Sequence, residues 1–159
     1  MTRAMTPDDT STPTLWLDDL QVGQRFAGGS VEVSAQDVKR FASEFDPQPF
    51  HLDEDAARDT VFGGLAASGW HTAGLTMRLL TTGGAPIAGG LIGAGAELSW
   101  PKPTRPGDRL SVVSEVVAIT PSRSKPDRGI VVLRTETRNQ HGEIVLVLTS
   151  RLMVRRRVE

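Results

Sequence analysis

Ser68-Gly69-Trp70-His71-Thr72-Ala73-Gly74-Leu75-Thr76-Met77-Arg78-Leu79-Leu80 is the stretch that decides the fold. It carries a single formal charge, Arg78, and its apolar residues fall on nearly every side of a 3.6-residue period. That pattern predicts a helix buried on most sides. Ser68 is suited to cap its first free N–H groups, and Gly83-Gly84 predicts the stop. Ten of the sixteen glycines lie between Gly63 and Gly95, so backbone can approach this helix closely.

On the far side of the helix the period changes to two. Residues 110–119, 130–137 and 144–154 are runs rich in Val, Leu and Ile, and read as strands. In the last of them Ile144, Leu146, Leu148, Leu152 and Val154 share one face, interrupted by Ser150. Pro106-Gly107-Asp108 and Asn139-Gln140-His141-Gly142 read as turns. Before the helix, residues 24–33 read as a strand. Ser34 then caps a helix over 35–44 with apolar positions Val38, Phe41, Ala42 and Phe45, and a helical turn follows over 54–58. Strands following helices predict an α+β domain with an antiparallel sheet. One buried helix and one sheet imply that the sheet wraps around the helix.

The chain has 159 residues, enough for one domain with a core, which is expected over residues 15–159. Residues 1–14, rich in Thr, Pro and Asp, read as a disordered leader without the apolar segment of a signal peptide. Its 18 basic and 19 acidic residues nearly cancel, which gives no electrostatic case for nucleic acid. Arg155, Arg156 and Arg157 read as a solvated terminus. No apolar run reaches the roughly 18 residues of a membrane span, and a cytoplasmic location is expected. With no cysteine and three histidines, thiolate chemistry is excluded and no metal site is expected.

The chemistry-bearing run is Phe45-Asp46-Pro47-Gln48-Pro49-Phe50-His51-Leu52-Asp53. Each proline fixes its own φ and pushes the preceding residue towards extended backbone. The expectation is a stiff loop rather than a helix, holding a carboxylate and an imidazole in reach of one substrate. The competing reading is a turn closed by Asp46 and an ordinary histidine at 51. Two glycine patterns invite a nucleotide reading and fail it. Gly64 to Gly69 is followed by Trp70-His71 instead of Lys and Ser/Thr, and Gly93-Ala94-Gly95 lacks a third glycine and runs into a strand.

Three segments together resemble the MaoC-like dehydratase family, which includes the (R)-specific enoyl-CoA hydratases. Asp46-Pro47-Gln48-Pro49-Phe50-His51 is similar to that family's Asp-x-Asn-Pro-(apolar)-His signature. Phe62-Gly63-Gly64-Leu65-Ala66-Ala67-Ser68-Gly69 resembles the stretch leading into its central helix. Pro103-Thr104-Arg105-Pro106-Gly107-Asp108-Arg109-Leu110 is like its Pro-x-x-Pro-Gly-Asp-x-Leu run. The chain departs from the family at Gln48, where Asn is usual, and at Ser68, where His is common.

The resemblance implies a hot-dog fold, in which an antiparallel sheet curls around a long helix, and a homodimer or an assembly of dimers. It implies an acyl thioester of coenzyme A as substrate, with no cofactor beyond that carrier. It implies Asp46 and His51 as the catalytic pair, and Gly69 as the residue whose N–H meets the thioester oxygen. The reaction implied is reversible addition of water to a trans-2-enoyl thioester. Ser68 is a candidate substrate contact. Arg123, Lys125 and Arg128, in the charged loop 122–128, are candidates for the phosphates of coenzyme A. His71 reads as a hydrogen-bonded structural histidine and His141 as exposed. Two rivals stay open, a hot-dog thioesterase and a catalytically silent acyl-binding module. The thioesterase usually depends on a carboxylate near the buried helix, and no Asp or Glu occurs from Val61 to Leu80.

Overall fold

The alternating runs become the sheet. In the computed structural model, which describes residues 13–159, five strands form: β1 (Arg25–Glu32), β2 (Ile92–Ser99), β3 (Arg109–Pro121), β4 (Arg128–Arg138) and β5 (Ile144–Arg155). Their order is β1-β3-β4-β5-β2, and every neighbouring pair is antiparallel. Residues 1–12 of the expected leader lie outside the described residues. Leu15, where order was expected to begin, pairs with Ile87 in an isolated bridge.

Alternation sets which side chains point inward. On β3 Leu110, Val112, Ser114 and Val116 are buried, and on β4 every second residue is. The Asn139–Gly142 turn joins β4 to β5, with Gly142 at φ 74°, where glycine is the least strained residue.

The central helix, α4 (Gly69–Gly83), lies against the inner face. Leu79 and Leu80 join Val33, Val38, Leu110, Val112, Val145 and Leu148 in one apolar cluster. Thr76 Oγ1 reaches Thr137 Oγ1 at 2.6 Å, a buried polar tie between helix and sheet. Gly28 on β1 lets the helix come this close, because a Cβ there would lie 2.5 Å from Val112 and 3.3 Å from the Leu79 carbonyl. The arrangement is the α+β hot-dog fold that the sequence implied.

Two expectations are corrected. The central helix is covered on one side only. His71, Thr72, Thr76, Leu79 and Leu80 are buried, while Trp70, Gly74, Met77 and Arg78 form an exposed stripe. Among the described residues of one chain, the five-stranded sheet leaves the far face of α4 bare. The segment after Asp46 is also not all loop, because Pro49–Leu52 forms a one-turn helix, α2, with Pro49 in its first position. A proline there gives up an N–H that the helix does not use, and its fixed φ suits the start of a turn.

Helix α1 (Ala35–Phe45) begins at Ser34, whose Oγ accepts from the Asp37 N–H at 3.1 Å. Val38 and Ala42 are buried, but Phe45 is 70% exposed, its ring 5.1 Å from that of Phe41. Helix α3 (Glu54–Arg58) follows α2 and is capped by Asp53. Among the described residues no helix is long and apolar enough to cross a membrane.

Candidate active site

Asp46, His51 and Ser68 arrive from three different elements. Asp46 closes the C-terminus of α1, His51 sits in α2, and Ser68 caps the N-terminus of α4. Gln48, extended before Pro49 at φ −109° and ψ 146°, turns the chain so that α2 folds back beside Asp46. His51 Nε2 then lies 3.3 Å from Asp46 Oδ2. Ser68 Oγ donates to the same Oδ2 at 2.7 Å, and Gln48 Nε2 donates to Oδ1 at 2.5 Å.

The other side of the imidazole decides its tautomer. His51 Nδ1 is 2.6 Å from the Ala66 carbonyl oxygen, and a carbonyl can only accept. The ring proton therefore resides on Nδ1. When the ring is neutral, Nε2 presents a lone pair. Once Nε2 gains a proton, its N–H faces a carboxylate oxygen. Burial of Asp46 works to raise its pKa, but the hydrogen bonds from Gln48 and Ser68 and the nearby His51 outweigh it. The carboxyl is held below the usual aspartate value of 3.8. His51, only 5% exposed, lies beside an ionised carboxylate, within a wall of Phe50 and Phe62 rings.

The pair opens on a cavity of about 410 Å³, also lined by Phe62, Gly69, Trp100 and Thr104. Gly69 begins α4, and among the described residues its N–H has no hydrogen-bond partner. Its carbonyl accepts from Trp100 Nε1 at 2.9 Å. A Cβ at position 69 would lie 2.7 Å from the Trp100 ring, so glycine is what lets the indole lie over the helix start. Trp70 meets Trp100 edge to face, with centroids 5.5 Å apart.

The structure thus brings Asp46, His51 and Gly69 to one cavity and places Ser68 just behind it. Ser68 is fully buried, and its hydroxyl hydrogen is given to Asp46. Arg123, Lys125 and Arg128 do not line this cavity within the chain. They lie at the β3–β4 connection, where Arg128 pairs with Asp127.

His71 is not the hydrogen-bonded residue expected. Among the described residues its Nδ1 is buried without a partner, and its ring stacks on Phe41 at 4.9 Å. Burial lowers its pKa below 6.5, Asp37 works to raise it, and Arg40 lowers it further. His141 lies exposed in the turn, as expected. Phe62, Thr104 and Arg105 stand in the quoted family-like runs without an assigned role, and Trp100 lies outside them. Trp100 stands beside the quoted Pro-rich run, and its nearness to Gly69 is a tertiary contact with no local signal.

The family model for the MaoC like domain matches residues 19–138. The chain belongs to the MaoC-like family. A solved MaoC-like dehydratase from Rhodospirillum rubrum is 61% identical, with a TM-score of 0.90 over 91% of this chain and 99% of that one. The uncharacterized protein YdeM of Bacillus subtilis is 38% identical, covering 78% of this MaoC-like chain and 87% of YdeM. A 3-hydroxybutyryl-CoA dehydratase of Methylorubrum extorquens is 35% identical, covering 70% and 69% respectively.

Proposed function

We propose that this MaoC-like protein is an acyl-CoA hydro-lyase, a hydratase/dehydratase that reversibly adds water across a trans-2-enoyl thioester to give a 3-hydroxyacyl thioester. Coenzyme A belongs to the substrate, and the residues named here need no further cofactor for this chemistry. The observation that carries the reading is the His51–Asp46 pair, with the imidazole proton pinned on Nδ1 and Nε2 left 3.3 Å from a carboxylate. Similarity to a 3-hydroxybutyryl-CoA dehydratase supports the same reaction class.

A water held between Nε2 and Asp46 Oδ2 gives a proton to Nε2 as its oxygen adds to Cβ. Asp46 stabilises the imidazolium that forms. Because the carboxyl is held below its ordinary pKa, Asp46 has no proton to offer at neutral pH. The proton that reaches Cα is therefore the one taken from water, passed on by His51, which regenerates the neutral ring. Positioned acid–base groups of this kind contribute roughly 10²–10⁴-fold. Charge developing on the thioester oxygen is met by the Gly69 N–H, at the positive end of α4. Such a donor is worth roughly 2.7–4 kcal/mol at the transition state.

The proposal includes a cytoplasmic homodimer. The bare stripe of Trp70 and Met77 on α4 and the unpaired edge of β2, with Ile92 45% exposed, support a second copy as their cover.

The test is absorbance at the enoyl-thioester band against short, long and branched trans-2-enoyl-CoAs. Hydration of at least one is expected. Asp46→Asn and His51→Ala should each lower kcat by at least roughly 10²-fold. The double variant should lose far less than the product of the two. Near-normal turnover in either single variant would remove the pair from the mechanism.

A further inference from the structure

The ten residues between α3 and α4, 59–68, have no regular secondary structure, yet they deliver three parts of the site. Phe62 and Ala67 line the cavity, and the Ala66 carbonyl takes the Nδ1 proton of His51. A segment without helix or strand must find partners for its carbonyls elsewhere. Here one side chain supplies three of them. Arg105 Nη1 donates to the Gly64 carbonyl at 3.0 Å and to the Leu65 carbonyl at 3.3 Å, and Nη2 donates to the Phe62 carbonyl.

Arg105 is itself anchored. Its backbone N–H donates to Asp108 Oδ2 at 2.8 Å, and its carbonyl accepts from the Asp108 N–H at 3.0 Å. Next to it, the Thr104 carbonyl accepts from the Ala67 N–H at 2.9 Å. Among the described residues the guanidinium forms no ion pair, although it is half-buried. Its hydrogen bonds among the described residues all go to backbone carbonyls. A planar fork with several fixed donors can span three carbonyls, whereas an ammonium is a compact point charge.

We propose that Arg105 is a positioning residue for His51. By fixing the carbonyls of residues 62, 64 and 65, it fixes the next carbonyl, that of Ala66. Ala66 in turn keeps the imidazole proton on Nδ1 and leaves Nε2 free to accept one. Arg105 does not line the cavity and makes no hydrogen bond to His51, so its effect passes through the loop. The inference rests on the hydratase reading for its kinetic arm, but its spectroscopic arm does not.

The experiment compares wild type, Arg105→Lys and Arg105→Ala by ¹⁵N NMR of His51, followed over a pH series to the neutral ring, and by hydration kinetics on the enoyl-CoA turned over best. A protonated and a bare ring nitrogen give widely separated ¹⁵N signals, so the tautomer is read directly. Wild type should show Nδ1 protonated and Nε2 bare, and both variants should move towards the average of two tautomers. Displacement of a catalytic group by about an ångström costs up to roughly 10²-fold. A fall in kcat of about 10- to 100-fold is therefore expected, with KM changed less than about threefold. Added guanidinium should restore part of the rate to Arg105→Ala and none to Arg105→Lys.

An unchanged tautomer in both variants would overturn the proposal, as would wild-type kcat in both. Loss of the folded circular-dichroism signal in both variants would make Arg105 a residue of the fold alone and would equally overturn it. If wild type hydrates no enoyl-CoA while the variants still lose the Nδ1-protonated form, the hydratase reading falls and the role of Arg105 stands.

Discussion

Ser68→Ala removes one oxygen with two duties, and the structure allows each to be weighed. The hydroxyl caps α4 by accepting from the Trp70 N–H, at a long 3.3 Å, and donates to Asp46 Oδ2 at a short 2.7 Å. Loss of an N-cap serine costs about 0.5–2 kcal/mol, and the long contact puts this one at the low end. A hydrogen bond to a charged group contributes about 1.5–3 kcal/mol when buried. The Asp46 side chain keeps 18% of its exposure, so about 1–2 kcal/mol is the reasonable share. If most of that is lost from the transition state, kcat falls about tenfold, since each 1.36 kcal/mol is a factor of ten.

The variant also moves a titration. Burial already works to raise the Asp46 pKa, and without Ser68 only Gln48 and His51 oppose it, so the pKa rises. In wild type the folded value lies below the ordinary 3.8. The stabilisation it brings is therefore complete above pH 3.8 and lost as pH falls through the folded value. Ser68→Ala narrows that gap between folded and unfolded values. Its deficit in Tm should be widest near pH 7 and shrink below pH 3.8. Carboxyl ¹³C NMR of Asp46, with enoyl-CoA hydration at pH 7, measures both effects. An unmoved Asp46 midpoint together with wild-type kcat would refute the reasoning.

Alanine at Gly69 is not a neutral change, because its Cβ would meet the Trp100 ring at 2.7 Å. Gly69→Ala should lose at least roughly tenfold in hydration rate, and adding Trp100→Ala should recover part of it; no recovery would show that the indole is not the obstacle. His71→Phe removes a buried nitrogen without a partner and keeps the stack on Phe41, so it should raise stability by about 1 kcal/mol in denaturant titration. Because the His71 pKa is lowered on folding, wild type should lose stability as pH falls below 6.5, and His71→Phe should lack that component between pH 7.5 and 5.5. Light scattering at micromolar concentration should give the mass of a dimer or a multiple of it. A stable monomer would contradict the proposal that a second copy covers the bare stripe on α4.

Elements with a strong period were legible from sequence. The strands on either side of Asn139–Gly142 and the capped helix after Ser68 were readable because alternation and capping are local signals. The turn at Pro49–Leu52 was not, because two prolines read as helix-breakers when the second can equally begin a helix. The Asp46 and His51 pair stood out through spacing. The groups that hold the pair did not, since Ser68 is 22 residues from Asp46 and Ala66 is 15 from His51. The Arg105 clamp spans about 40 residues, a separation at which no periodicity remains. Phe45 shows the opposite failure, a residue on the apolar period of α1 that ends in solvent.

Arg156 pairs with Asp18, Arg157 pairs with Asp19, and the Arg156 N–H donates to the Asp127 carbonyl at 2.8 Å. These ties gather the two ends of the described fold beside the β3–β4 connection. β3 begins at Arg109, just after Asp108 and the Arg105 turn, and runs thirteen residues to Pro121 at that same connection. At about 3.3 Å per residue, strands of this length carry the chain on the order of 35–40 Å from one end of the sheet to the other. The proposed acid–base site and the gathered chain ends therefore lie towards opposite ends of the sheet. A fusion partner or an affinity tag joined outside residues 15–157, so that the Leu15–Ile87 bridge and both ion pairs are kept, is expected to extend away from the cavity.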